Sequence, residues 1–115
     1  MGNFECLYFK TGSGRSPVEI FINRLDFKTQ RKFFVKIAWL QEYGPRLSAP
    51  HAKKVDDDIY EFRFLSEEGA IRILYFFYKN KIILLNGFKK KTNKIPKRDL
   101  ETAKTRKEEF LNRER

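Results

Sequence analysis

The alternation of hydrophobic and polar positions changes period several times along this chain, and each change marks an element. The stretch FECLYFKT (4–11) is rich in aromatic residues and reads as a first strand, followed by the loop GSGR. In SPVEIFINRL, Val18, Phe21, Ile22 and Leu25 recur at i, i+3, i+4 and i+7, the spacing of one buried helical face. Ser16 is placed to cap that helix, Pro17 suits its first turn, and Glu19 completes a capping box with Ser16. Asp26 caps a second helix through FKTQRKFFVKIAWLQEY, with Phe33, Ile37 and Leu40 as its apolar stripe, and Gly44-Pro45 ends it. RLSAPHAKKVDDD then reads as loop.

From residue 59 the period drops to two. In IYEFRFL, Tyr60, Phe62 and Phe64 share one face, and Glu61 and Arg63 share the other. SEEG turns the chain, and AIRILYFFYK returns as a long strand. Lys79-Asn80-Lys81 predicts a tight hairpin with positive φ at Asn80. IILLNGF is apolar almost throughout, as expected of a strand that is central or covered on both faces. After a basic segment, Pro96 opens a last helix, with Leu100, Ala103 and Phe110 on one side. The predicted order is β-α-α-β-β-β-α. It describes one α+β domain over residues 1–115, an α-hairpin laid on a sheet and a helix that closes it.

Composition bounds what such a domain does. Hydrophobic residues make up 41% of the chain, with 12 Phe and 5 Tyr, which excludes a disordered polymer. The longest apolar run, ILYFFY (73–78), is far short of the ~20 residues of a membrane span. The N-terminus lacks the pattern of a secretion signal, and Cys6 stands where a myristoylation motif needs Ser or Thr. One cysteine fits a reducing cytoplasm, the expected location. With Cys6 and a single histidine, His51, a zinc site is not expected; Cys6 reads as core, His51 as structural, and Asp56-Asp57-Asp58 as a solvated turn. The sequence has no phosphate-binding Gly-rich loop and no nucleophile with a matching base.

What remains is cationic. Lys and Arg number 25 against 15 acids, a net charge of +10, so the partner is expected to be polyanionic, nucleic acid first among the options. An anionic membrane surface and an acidic protein stay open. The charge is densest in NGFKKKTNKIPKRDL (86–100), which holds Lys89, Lys90, Lys91, Lys94, Lys97 and Arg98. Arg63 falls on the open face if the aromatics of its strand face the helices. Arg72 opens an otherwise apolar run, where a charge is costly without a partner. Two readings fit these arginines equally: Arg–Glu bridges that hold the sheet, or a concave basic surface for a phosphodiester backbone.

The segments SPVEIFINRLD, YGPRLSAPHAKKVDDDIYEFRF and AIRILYFFYKNKIILLNGFKKKTNKIPKRDLETAKTR together resemble the HigB-like, phage-derived branch of the RelE superfamily, toxins of type II toxin–antitoxin modules. The likeness runs from about Ser16 to Arg106, and its specific pieces are YEFR, RILYFF and GFKKKTNKIP with Ala103 and Arg106 beyond. It implies a small twisted, mostly antiparallel sheet flanked by the three helices. It also implies cleavage of mRNA on the ribosome without metal or other cofactor, the ribose 2′-OH attacking the adjacent phosphate. The residues it marks as catalytic are Arg63, Arg72, Lys90, Lys91 and Glu61, the last as base or as the group that orients Arg63. Lys89, Lys94 and Phe88 are marked as RNA contacts. The implied partners are mRNA on the ribosome and a cognate antitoxin, of helix-turn-helix type, with no membrane. Several relatives carry a Tyr or His near the C-terminal end of the site, and Phe88–Arg115 contains neither, so the general acid and base are left open. The alternative to an endoribonuclease is a non-catalytic RNA- or DNA-binding module, or a domain that meets an acidic protein.

Overall fold

Apolar runs without alternation demand cover on both faces, and the computed structural model supplies it in three layers; it describes residues 4–90 and 94–115, with Lys90 through its backbone only. Strands β1 (Glu5–Tyr8), β2 (Ala52–Asp56), β3 (Ile59–Ser66), β4 (Gly69–Tyr78) and β5 (Lys81–Lys90) form one sheet in the order β1-β5-β4-β3-β2. β1 runs parallel to β5, and every other pairing is antiparallel. Helices α1 (Pro17–Asn23) and α2 (Phe27–Tyr43) bury Val18, Ile22, Phe33, Ile37 and Leu40 against Phe62, Ile73, Tyr75 and Leu84 on one face. Helix α3 (Lys97–Arg113) brings Ala103, Leu100 and Phe110 to Leu74, Phe76, Ile83 and Leu85 on the other. The fold is α+β, compatible with a small RelE-like domain.

Three local expectations are corrected. The stretch read wholly as loop contains β2, an edge strand with Lys53 and Lys54 exposed and Ala52 buried. Edge strands need backbone pairing on one side only and commonly carry lysine, so no alternation advertises them. Ser16 makes no side-chain cap bond, so the capping box does not form, whereas Asp26 accepts the Thr29 N–H at 2.7 Å and caps α2. In the β4–β5 turn the left-handed residue is Lys79, at φ 55°, and not Asn80.

Two features of β5 place the rest. Leu74 pairs with Asn86 and Tyr75 with Leu84, so Leu85 is one residue too many and forms a bulge. Both Leu85 and Asn86 therefore meet α3: Arg106 Nη1 donates to the Leu85 carbonyl at 2.9 Å, and Asn86 Nδ2 donates to the Asp99 carbonyl at 3.0 Å. Two residues on, Gly87 lies under α1, where a Cβ would stand 2.7 Å from both Phe21 and Ile73.

Candidate functional site

The site begins with strand parity. Tyr60, Phe62 and Phe64 turn to the α1–α2 face, which leaves Glu61 and Arg63 on the α3 face. The two-residue turn between Ser66 and Gly69 sets Arg63 directly across from Arg72, and Glu61 across from Leu74. Glu61 and Arg72 are thus diagonal neighbours, within reach of long side chains. Arg72 Nε donates to Glu61 Oε2, and the pair is sealed: the arginine side chain is 2% exposed and the carboxylate 0%. Arg72 shares a face with Arg63 but is buried, so of the two readings open for it the Arg–Glu bridge is the one that forms. Glu61 orients Arg72, where the sequence pointed to Arg63. Its other oxygen, Oε1, is also buried and has no hydrogen-bond partner among the described residues.

Arg63 is the contrasting case. It is half-buried, and its guanidinium makes no hydrogen bond or ion pair among the described residues. It lines a small hollow with Ala49, Pro50, His51, Lys53 and Glu61. Lys53 pairs with Glu61 across β2–β3 and is exposed. His51 Nδ1 lies 3.2 Å from Lys36 Nζ, with its ring edge-on to Trp39. Burial holds the Lys36 ammonium below the ordinary lysine range. His51 and Lys53 are the members of this group that sequence reasoning missed. Recognising 52–56 as a strand would have given Lys53, because alternation about Ala52 sets it beside Glu61; His51 precedes the strand and turns its ring to α2.

The basic end of β5 divides. Phe88 stands opposite Arg72, half-buried against the α3 cluster, as a buttress of the buried pair. Lys89 points the other way, toward the α1–α2 face, and pairs with Glu68 at 2.9 Å; Glu68 also accepts the Asp26 N–H at the head of α2. Lys89 is not brought to the hollow. Lys90 continues the strand, paired with Ala70, and nothing is described of its side chain. Lys91 lies outside the described residues. Lys94 is exposed ahead of α3. The acidic turn is taken up by the last helix: Asp56 pairs with Lys104 at 2.8 Å, and Asp58 lies 3.8 Å from Lys107. Hydrogen bonding to Lys104 holds the Asp56 carboxyl below its usual range. Among the described residues no three His, Cys, Asp or Glu side chains converge as metal ligands, and no helix is long and apolar enough to cross a membrane.

Chemically, the hollow offers Arg63, a cation with no counterion among the described residues, and Lys53, a second cation at its rim; the Glu61 carboxylate beside them is sealed from solvent. An anionic oxygen of a phosphate would satisfy both cations. Among known proteins, the family model described as "Phage derived protein Gp49-like (DUF891)" matches residues 20–108. No curated protein matches the chain.

Proposed function

Because this chain belongs to the Gp49-like family of phage-derived, toxin-like proteins, we propose that it is the toxin of a type II toxin–antitoxin module, a HigB-like, metal-independent endoribonuclease acting on mRNA at the ribosome. The observation that carries the reading is that Arg63, with no hydrogen bond or ion pair among the described residues, lines one hollow with Glu61, whose buried Oε1 has no donor among them. An unsatisfied buried acceptor costs ~1–3 kcal/mol, and a ribose 2′-OH would donate to it. In this scheme Glu61 Oε1 accepts the 2′-OH proton as the 2′ oxygen bonds to phosphorus. The phosphorus–5′ oxygen bond then breaks, and a lysine protonates the leaving oxygen. Lys53 serves this role by position, and Lys90 and Lys91 by family resemblance. Arg63 neutralises the charge that grows on the phosphorane, and Arg72 fixes the carboxylate. Lys94 adds phosphate affinity at the approach, and an antitoxin masks the surface in the cell.

The test is single-turnover cleavage on programmed ribosomes, with mapping of the 5′-OH ends. Arg63→Ala removes one charge-assisted contact of ~1.5–3 kcal/mol, so the rate should fall roughly ten- to a hundred-fold at saturating ribosomes. Full activity in that variant removes Arg63 from the site. RNA binding without cleavage by the unaltered protein overturns the enzymatic reading in favour of a binding module.

A further inference from the structure

Helix α2 has two apolar faces, and the fold uses one. Phe33, Ile37 and Leu40 are buried on the sheet. On the opposite side Phe27 is 72% exposed, Phe34 54% and Val35 52%, with Ala38, Trp39 and Tyr43 exposed beside them. Scattered single exposed apolar residues are ordinary, but this many along one helix face form a patch. Phe27, Phe34 and Ala38 stand at i, i+7 and i+11, a seam of the kind one helix offers another. One flank is basic: Lys28, Arg31, Lys32 and Lys36 lie on one side of the seam, Lys28 at 3.8 Å from Glu67, with Glu42 the one acid of α2.

We infer that this face docks an acidic amphipathic helix of a partner protein, whose apolar stripe covers Phe27, Phe34 and Val35 while its carboxylates meet the flanking cations. Charge complementarity selects the occupant. A second copy would set two like-charged helices side by side. Nucleic acid would need open aromatic faces for stacking, yet three of the four exposed aromatics already carry a cation: Arg31 over Phe27 at 5.7 Å, Lys36 over Trp39 at 4.4 Å and Arg46 over Tyr43 at 5.9 Å. An anionic bilayer would need an unbroken apolar face. Arg31 stands inside the seam, four residues after Phe27 and three before Phe34, where a bilayer would force it among acyl chains and a helix would offer it a glutamate.

Trp39, the chain's one tryptophan, stands one residue after Ala38 on the basic side of the seam, where a helix docked on α2 would alter its surroundings. The protein is titrated with a designed tryptophan-free peptide, a leucine heptad seam flanked by glutamates, and in parallel with its lysine-flanked counterpart, phosphatidylglycerol vesicles and poly(U). The acidic helix should shift Trp39 emission to shorter wavelength, saturably, and bind about ten-fold tighter than the lysine peptide, a difference of ~1.4 kcal/mol. Phe34→Asp and Arg31→Glu should each weaken it about ten-fold with unchanged far-UV circular dichroism. Arg63→Ala should leave the titration unaltered, which separates this surface from the proposed nuclease site. An equal or larger response to the lysine peptide or the vesicles overturns the inference, as does a poly(U) response that Phe34→Asp weakens, a dimeric mass in light scattering or no response to the acidic helix.

Discussion

Arg72 and Glu61 form a charged pair with almost no solvent, which makes them a sharp place to perturb the molecule. Arg72→Met keeps the hydrophobic stem and deletes the guanidinium, stranding a carboxylate that is 0% exposed. Breaking one side of a buried pair costs ~3–5 kcal/mol, a large share of the ~5–15 kcal/mol that holds a domain together. With a urea m-value of ~1.5 kcal/mol/M, the unfolding midpoint should fall by ~2–3 M. Glu61→Leu alone should also lower the midpoint, because it removes the carboxylate to which the buried Arg72 Nε donates. The double variant removes both charges and should recover to within ~1 M of the parent, since a well-packed apolar pair often matches a buried ionic one. Arg63→Met, which breaks no hydrogen bond or ion pair among the described residues and keeps the stem, should stay within ~0.5 kcal/mol. Urea titrations followed by Trp39 emission and circular dichroism give all four midpoints. The reasoning fails if Arg72→Met moves the midpoint by less than ~0.5 M, or if the double variant is as unstable as the two singles summed. A stable double variant also isolates the chemistry, because any loss of cleavage in it belongs to the missing carboxylate and guanidinium rather than to unfolding.

Burial pushes the Cys6 thiol up to about 12, against ~8.5 in an unfolded chain, so the thiolate is disfavoured in the native state and stability should decline as pH rises through that window. Iodoacetamide at pH ~9 should label Cys6 slowly in native protein and rapidly in guanidinium, and fast native labelling contradicts this. Gly87→Ala would drive a methyl into Phe21 and Ile73, and an overpacking cost of ~1–3 kcal/mol should appear as a lower Tm; an unchanged Tm means that α1 does not press on β5. The Thr29 N–H holds the Asp26 carboxyl below its usual range, so its contribution is present above pH ~3.9 and lost as pH falls through the lower native value. Asp26→Ala should therefore lower Tm at neutral pH, with the gap closing in acid, and a gap independent of pH would show that the carboxylate charge does not matter.

Much of this architecture is legible in local pattern. The 3.6-residue spacing of Val18, Ile22 and Leu25, and the alternation from Tyr60 to Phe64, give the helices and the partition of the sheet's two faces. What escaped depends on register and parity. Nothing local in Arg63 or Arg72 says which one reaches Glu61; the two-residue turn at Glu67-Glu68 decides it from a distance. The bulge at Leu85 matters more, because one extra residue exchanges the faces of everything after it. Without it Lys89 would share the α3 face with Arg72; with it Phe88 takes that side and Lys89 turns to Glu68. Lysine density along the chain says nothing of that exchange. β2 escaped because its lysines obey solvent and not the core.

The parallel pairing at the sheet's edge has a consequence for how the chain is made. β1 is synthesised first, yet its one neighbour in the sheet is β5, with Tyr8 aligned to Leu84. Vectorial synthesis at ~5–20 residues per second separates those two positions by roughly 4–15 s. Through that interval the N-terminal strand has nothing to pair with, and α1 has no β5 to lie on. The β3–β4 hairpin zips from its own turn meanwhile, but β5, which joins β1 to β4, and the helix that covers its far side arrive last. Fragments that end before β5 therefore hold Arg63, Arg72 and Glu61 on the three strands β2, β3 and β4 alone, without the β5 and α3 that complete and cover that face.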